Sequence, residues 1–386
     1  MTANDQVAYG KTTLPVGIRS RFVEGVNGLT VHVLEAGFDG ADRPRVLLLH
    51  GFPELAYSWR KIMLPLADAG FHVIAPDQRG YGRTTGWDGD YDGDVGSFRF
   101  LNLVRDTIGL VFALGYRSVA AVVGHDFGSP VAAWCSLIRP DVFRAVVLMS
   151  APFDGPPPLS LGGEGEVPAS LGPDIHEALA ALPRPRKHYQ RYYTTRGADA
   201  NMRECPQGLP AFLRAYYHHK CADWTANKPF ALQSWSAAEL AKLPTYYVMD
   251  IDQGMAETVA AEMPSAAEIA ACAWLPDAEL AVYSAEFGRT GFQGGLQWYR
   301  CATDPQYTAE LQTFSGRTID VPACFIGGAS DWGVYQRPGR LERLETGACS
   351  DLRGVNLLDG AGHWVQQEQA ARVGEVLVDF LRGAAG

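Results

Sequence analysis

Residues 118–130 read SVAAVVGHDFGSP, and the turn at the centre of this stretch decides how the rest of the chain is read. Residues 119–123 are a continuous run of small and β-branched apolar side chains, the pattern of a strand buried on both faces. Gly124-His125-Asp126-Phe127-Gly128 follows, and then residues 130–139, an Ala- and Trp-containing stretch that predicts a helix. A tight strand-to-helix turn bounded by glycines ordinarily carries a serine nucleophile in the form G-x-S-x-G. Here the central residue is Asp126. The difference is covalent. A serine that attacked saturated carbon would leave an ether, which water does not cleave. A carboxylate that does so leaves an alkyl ester, which an activated water hydrolyses. Asp126 therefore points to substitution at sp3 carbon, with epoxides and alkyl halides as the candidate substrates. Read alone, the pattern also suits an aspartate making local backbone bonds in a turn.

Working outward, residues 19–35 alternate about Val26-Asn27-Gly28, a hairpin signal. Residues 46–49 form a short apolar strand ending in His50-Gly51-Phe52-Pro53. A helix is expected over 57–69 and a strand over 71–75, closing on a loop that contains Asp77, for which a structural turn role is expected. A polar loop at 84–97 precedes a helix over 98–114, and residues 143–148 read as another buried strand. This alternation predicts a mostly parallel central sheet with helices on both faces. At 155–173, Pro, Gly and Ser mark an insertion boundary or mobile loop. From there to about residue 317 the sequence is helical, aromatic and Ala-rich, without buried-strand runs. The α/β pattern resumes with a strand at 321–326, a helix near 336–345, a strand at 355–358 and a final helix at 366–381. The expected division is an α/β core at 1–152 and 319–386 with an inserted helical cap at 153–318.

The 386 residues, 47% hydrophobic and 20% charged, are ordinary for a globular chain. A net charge of −10 with no basic stripe argues against nucleic acid and anionic membrane as partners. Cys135, Cys205, Cys221, Cys272, Cys301, Cys324 and Cys349 are scattered, odd in number and free of any C-x-x-C pair. That usage fits reduced thiols in a cytoplasmic protein. No apolar run approaches the roughly 20 residues of a membrane helix, and the start, MTANDQVAYGKTTLPVG, lacks the form of a signal peptide. Oligomeric state is left open, a homodimer included.

Two further residues stand where Asp126 needs partners. Ile326-Gly327-Gly328-Ala329-Ser330-Asp331 puts Asp331 just past a buried strand, and Asp359-Gly360-Ala361-Gly362-His363-Trp364 puts His363 in a glycine-bounded loop past the last strand. Strand ends of a parallel sheet share one edge, so the three side chains can converge. The order nucleophile, acid, histidine is that of α/β-hydrolases. His363 would activate water, with Asp331 fixing its tautomer. Phe52 and Phe127 would offer backbone N–H groups to an oxyanion. His218-His219 with Cys221 and Asp223 lacks a second ligand pair at zinc spacing. Surface histidines are expected there, and no metal.

The chain from about residue 30 to 381 resembles the soluble-type epoxide hydrolases of the α/β-hydrolase fold. The resemblance rests on HGFPE at 50–54, GHDFG at 124–128, SAPF at 150–153, GASD ending at Asp331 and GAGHW ending at Trp364. It implies a cofactor-independent hydrolase that turns an epoxide and water into a vicinal diol through an aspartyl ester. It also implies two acid tyrosines in the cap. GFQGGLQWYR, 291–300, matches the segment carrying one, at Tyr299. HYQRYY, 188–193, matches the other, with Tyr189 the expected position and Tyr192 and Tyr193 its competitors. The pocket would be lined by Phe52, Pro53, Phe127, Phe153, Trp298 and Trp364, and the aromatic cap suits an apolar or aromatic epoxide. Epoxide opening expels a basic alkoxide and so calls for proton donors, whereas a halide asks only for N–H donors. Haloalkane dehalogenases typically carry tryptophan after the nucleophile and fluoroacetate dehalogenases arginine; Phe127 is neither. The alternatives are a dehalogenase on this scaffold and, in another class, a binding or sensing protein that keeps the fold without turnover.

Overall fold

Short β-branched runs build the centre of the molecule. The computed structural model describes residues 9, 13–40, 42–159 and 174–384. Most of the N-terminal stretch and residues 160–173 of the Pro-, Gly- and Ser-rich segment lie outside the described residues. β1 (Ile18–Val26) and β2 (Leu29–Ala36) form the expected hairpin. Asn27 at φ 49° and Gly28 at φ 82° turn it, the positive-φ pair that a two-residue hairpin loop needs. Then come β3 (Arg45–Leu49), β4 (His72–Pro76), β5 (Ala121–His125) and β6 (Val146–Met149). The long segment that follows contains a short antiparallel pair, β7 (Arg186–His188) and β8 (Val248–Asp250). β9 (Ala323–Gly328) and β10 (Leu352–Leu358) complete the strands among the described residues.

Eight of these make one sheet in the order β1-β2-β4-β3-β5-β6-β9-β10. β2 runs antiparallel to both neighbours, and every other pair is parallel. Every residue of β5 is buried, as the unbroken apolar run required. β5 lies between β3 and β6, so Asp126 emerges from the middle of the sheet edge where β3, β9 and β10 also end. Helices α1 (Arg60–Asp68), α2 (Phe100–Ala113) and α3 (Gly128–Ile138) surround the sheet with the C-terminal helix Ala370–Ala384. Among the described residues no helix is long and apolar enough to cross a membrane, and all seven cysteines are free.

The segment between β6 and β9 departs from expectation in two places. β7 and β8 were not foreseen, because strands of three residues are too short to show as apolar runs. His218 and His219 are buried, not on the surface. They belong to the helix Leu209–Lys220, whose residues from Phe212 onward are all buried. The His219 ring meets Trp224 and Tyr246 edge-on at 4.5 and 4.7 Å.

The two glycines of the elbow answer to close packing. A Cβ on Gly124 would run into the backbone of Gly128 and Ser129, and one on Gly128 into the carbonyls of Leu49 and His50. α3 can start against β3 and β5 only because both positions lack a side chain. Gly128→Ala should therefore destabilise the protein by roughly 1–3 kcal/mol through overpacking, read as a lower urea midpoint. A midpoint equal to wild type would contradict this account of the turn.

Candidate active site

Asp126 sits at φ 50°, a left-handed conformation that costs an L-residue about 1–2 kcal/mol. The turn is held by its backbone: the Asp126 N–H donates to Met149 O and the Ser129 N–H to Asp126 O, both at 3.1 Å. The result aims the carboxyl group off the sheet edge. Its Oδ1 accepts the Phe52 N–H at 2.9 Å. Its Oδ2 lies 3.2 Å from His363 Nε2, a nitrogen that makes no aligned hydrogen bond. On the other side of the ring, His363 Nδ1 is 3.1 Å from Asp331 Oδ1 and 3.2 Å from Oδ2. Asp331 Oδ1 also accepts the Gly333 N–H at 2.6 Å. The side chains of His363 and Asp331 are each 1% exposed and that of Asp126 15%, so solvent or a ligand reaches the trio through Asp126. The three residues expected to converge do so.

Burial opposes the charge on Asp126, but the His363 ring, Lys220 and His125 outweigh it and hold the carboxyl well below the usual range. Asp331 is lowered in the same way, burial being overcome by His363 and the Gly333 N–H. For His363, burial and Lys220 pull the pKa down while Asp331 and Asp126 push it up, and the net effect is a rise. The arrangement combines a carboxylate with one anchored oxygen and a ring nitrogen beside the other. It is equipped for nucleophilic attack followed by base-assisted hydrolysis.

Supporting residues were missed in the sequence. Glu54 Oε2 and His125 Nδ1 are 2.5 Å apart, and His125 Nε2 is 2.7 Å from the carbonyl oxygen of His363. Gln366 Nε2 donates to Glu54 Oε1 at 2.8 Å. Glu368 accepts three backbone N–H groups, from Ala222 at 2.8 Å and from Gly362 and Trp364 at 2.9 Å, and so clamps the loop on either side of His363. The signal was present: Glu54 and His125 are ionisable residues just past the ends of the two runs read as buried strands, and such groups need partners when they are buried.

A cavity of about 520 Å³ opens onto Asp126. Phe127, Phe153, Tyr189 and Tyr299 line it together with Phe100 and Trp134. Tyr189 and Tyr299 approach to 6.0 Å between ring centroids. The Tyr189 O–H donates to Gln336 Oε1 at 3.2 Å. Its competitors are committed elsewhere: the Tyr192 O–H donates to Asn201 Oδ1 at 2.6 Å, and Tyr193 and Tyr216 pair their hydroxyls at 3.1 Å. Burial, then the charge of Asp126, push Tyr189 and Tyr299 above the ordinary phenol range, so both remain protonated. Four of the expected lining residues stay out of the cavity wall. Phe52 backs the Tyr299 ring edge-on at 5.5 Å, and the carbonyl of Pro53 accepts the Tyr217 O–H. The indoles of Trp298 and Trp364 are buried and donate to Arg79 O and Tyr217 O at 2.9 Å. Tyr299, next to Trp298, faces the cavity, whereas these four side chains lie outside its wall. Asp77 serves its turn, accepting the N–H groups of Ala56 at 2.8 Å and Arg83 at 3.0 Å.

Comparison with known proteins places these features in a group. The family model described as the alpha/beta hydrolase fold matches residues 44–370. The epoxide hydrolase of Caballeronia sordidicola is 33% identical over 356 residues, 92% of this chain and 92% of that one. Epoxide hydrolase A of Mycobacterium tuberculosis is 33% identical over 360 residues, 92% of this chain and 95% of its own length. Among solved structures, an epoxide hydrolase from an endophytic Streptomyces superposes with a TM-score of 0.73 at 30% identity, covering 96% of each chain. Epoxide hydrolase A of Mycobacterium thermoresistibile gives 0.72 at 34%, covering 95% of this chain and 98% of that one.

Glu368→Ala would strand three N–H groups around the His363 loop. It should cost about 2–4 kcal/mol, as expected for orphaned buried donors, measured by urea unfolding. A loss below the error of that measurement would show that water replaces the clamp.

Proposed function

Since the chain belongs to the α/β-hydrolase-fold epoxide hydrolases, converting an epoxide and water to a vicinal diol, we propose that Asp126 is the nucleophile, His363 and Asp331 the water-activating pair, and Tyr299 and Tyr189 the proton donors. The observation that carries this assignment is the split environment of the Asp126 carboxylate. Oδ1 is anchored by the Phe52 N–H while Oδ2 stands free beside His363.

In the first step Oδ2 attacks a ring carbon, the carbon–oxygen bond of the epoxide breaks, and the departing oxygen takes a proton from Tyr299 or Tyr189. In the second, His363 Nε2 removes a proton from water as the water oxygen bonds to Asp126 Cγ. The negative charge gathers on Oδ1, toward the N–H groups of Phe52 and Phe127. The Cγ–Oδ2 bond then breaks, the leaving oxygen is protonated from His363, and Oδ2 departs with the diol. The water oxygen stays in the carboxylate, and the water's second proton restores the phenol that donated in the first step. Phenols kept protonated by burial and by Asp126 support the donor role. The phenyl ring of Phe127 offers no N–H donor for a halide. In this reading residues 153–318 form the cap that brings both tyrosines over the core at 1–152 and 319–386. The free, scattered cysteines favour work in the cytoplasm.

His363→Gln should trap the ester: incubation with an epoxide adds the substrate's mass to the peptide containing Asp126, seen by mass spectrometry. Continued turnover by an unmodified variant would defeat the assignment. Tyr299→Phe should slow single-turnover ring opening at least tenfold, about 1.4 kcal/mol, with a smaller change in substrate affinity. An unchanged single-turnover rate would remove Tyr299 from the donor role.

A further inference from the structure

Two amides bracket the Tyr189 hydroxyl, and the atoms beyond them fix which way each one faces. Arg337 Nη2 donates to Gln190 Oε1 at 3.3 Å. A guanidinium only donates, so the Gln190 oxygen is taken and its NH2 faces the phenol, with Nε2 3.3 Å from the Tyr189 oxygen. On the far side Gln336 Nε2 donates to Gly333 O at 3.4 Å. A carbonyl only accepts, so Gln336 Oε1 is left to receive the Tyr189 O–H at 3.2 Å. Every bond runs the same way, from Arg337 through Gln190 and Tyr189 to Gln336 and Gly333. The Gly333 N–H in turn donates to Asp331 Oδ1 at 2.6 Å. Tyr189 and Gln190 open the short helix Tyr189–Tyr193, while the other members follow β9, so the chain of bonds joins two segments far apart in sequence.

The direction matters because a phenol that gives up its proton is left, for part of the cycle, as a phenolate. An N–H aimed at its oxygen and a cation behind that N–H both favour the ionised form, and a donor to the amide oxygen polarises the amide N–H. At Tyr189 burial and the charge of Asp126 act against ionisation, while Arg337, the Gln190 amide and Arg340 act for it. Around Tyr299 the leading influences, burial, Asp126 and the neighbouring tyrosines, all act against it. Arg337 shares the cavity wall with Arg340 and Arg343, which hold Asp154. Burial and the charge of Arg340 draw its pKa down to about 10, which leaves it cationic at neutral pH, and its guanidinium rests over the Trp235 ring at 5.2 Å. The other titratable rings packed on Tyr189 are neutral there: His188, driven down to about 3 by burial, and Tyr193, Tyr247 and Tyr299, driven up by it.

Building on the proposed function, we propose that Arg337 and Gln190 are positioning residues for ring opening that act through Tyr189, holding its oxygen in place and stabilising the phenolate it becomes. As the carbon–oxygen bond of the epoxide breaks, the Tyr189 proton leaves Gln336 Oε1 for the departing oxygen. The negative charge passes to the Tyr189 oxygen, which the Gln190 N–H already faces. The second proton of the hydrolytic water returns to that oxygen when the ester is cleaved.

The test follows ester formation in the full-length His363→Gln protein, in which the Asp126 adduct of styrene oxide should accumulate and mass spectrometry reads its rate. Arg337→Met should slow the rate at least about fivefold. Gln190→Glu, close in size but without an N–H for the phenol, should do the same, and Arg337→Lys should recover part of the loss. In a Tyr189→Phe background neither substitution should slow the reaction further, because no phenolate remains to be supported. Equal slowing in both backgrounds would mark a packing fault and overturn the proposal, as would no slowing while Tyr189 is present. A second readout needs no turnover. The more acidic 3,5-difluorotyrosine is placed at position 189 and its ionisation is followed by absorbance. Arg337→Met should raise the pKa of that phenol by about one unit, and an unchanged value would overturn the support claimed for Tyr189. A raised value with no adduct on Asp126 would defeat the hydrolase assignment and leave that support standing.

Discussion

A carboxylate must stay ionised although most of its surface is buried, and the structure around Asp126 is arranged to meet that demand. Withdrawing such a charge from water costs several kcal/mol unless something replaces the lost solvation. Here the replacements are the Phe52 N–H at 2.9 Å, the His363 ring and the positive charge of Lys220. Lys220 is itself buried, its pKa drawn down by burial against the pull of Asp126, Asp331 and Glu54. Its ammonium lies 5.2–5.8 Å from the rings of Tyr216, Tyr246, Tyr247 and Trp364. Four aromatic faces hold the cation without neutralising it, so its field still reaches the carboxylates. The Lys220 carbonyl meanwhile accepts the His363 N–H at 2.9 Å, and one residue fixes both the charge balance and the loop.

The same electrostatics suit the two steps to each other on the proposed route. In the resting site the negative charges of Asp331 and Asp126 favour the proton on His363, and burial and Lys220 oppose it. Esterification of Asp126 removes one of the two carboxylates that hold the proton. The ring then loses basicity it does not need and becomes neutral at lower pH, at the moment when a neutral ring is required to take a proton from water. Asp331 stays charged throughout and keeps Nδ1 protonated. The hand-over rests on the loss of one charge 3.2 Å from the ring nitrogen.

The sequence disclosed the parts governed by short-range rules. Unbroken apolar runs showed β3, β5, β6 and β9 because strands buried on both faces tolerate little else. Glycines at 124 and 128 marked the elbow because nothing larger fits against backbone there. Asp331 and His363 followed from their places at strand ends. What stayed hidden depends on contacts between distant segments. β7 and β8 pair across some sixty residues of chain with three residues each. Trp298 and Trp364 adjoin residues of the site, yet their indole N–H groups found carbonyls in the core. His218 and His219 look like surface residues until the helix that bears them is seen to be buried along its length.

On the proposed route, hydrogen-bond commitments and place in the cavity wall together separate the tyrosines of the 153–318 segment. Tyr192, Tyr193, Tyr216, Tyr217 and Tyr246 lie near the site in sequence or space, and each has its hydroxyl engaged: with Asn201, with each other in the case of Tyr193 and Tyr216, with Pro53 O and with Asn227. A buried phenol whose proton is already shared has little to offer an incoming alkoxide. Tyr189 and Tyr299 differ in lining the cavity, and Tyr189, which accepts from Gln190, donates only a long bond to Gln336, a neutral acceptor that a stronger base can displace. The surrounding tyrosines are therefore not redundant donors. The Tyr193 ring packs against Tyr299 at 4.9 Å, and burial of the two cavity phenols themselves, with the charge of Asp126, raises their pKa and keeps them protonated.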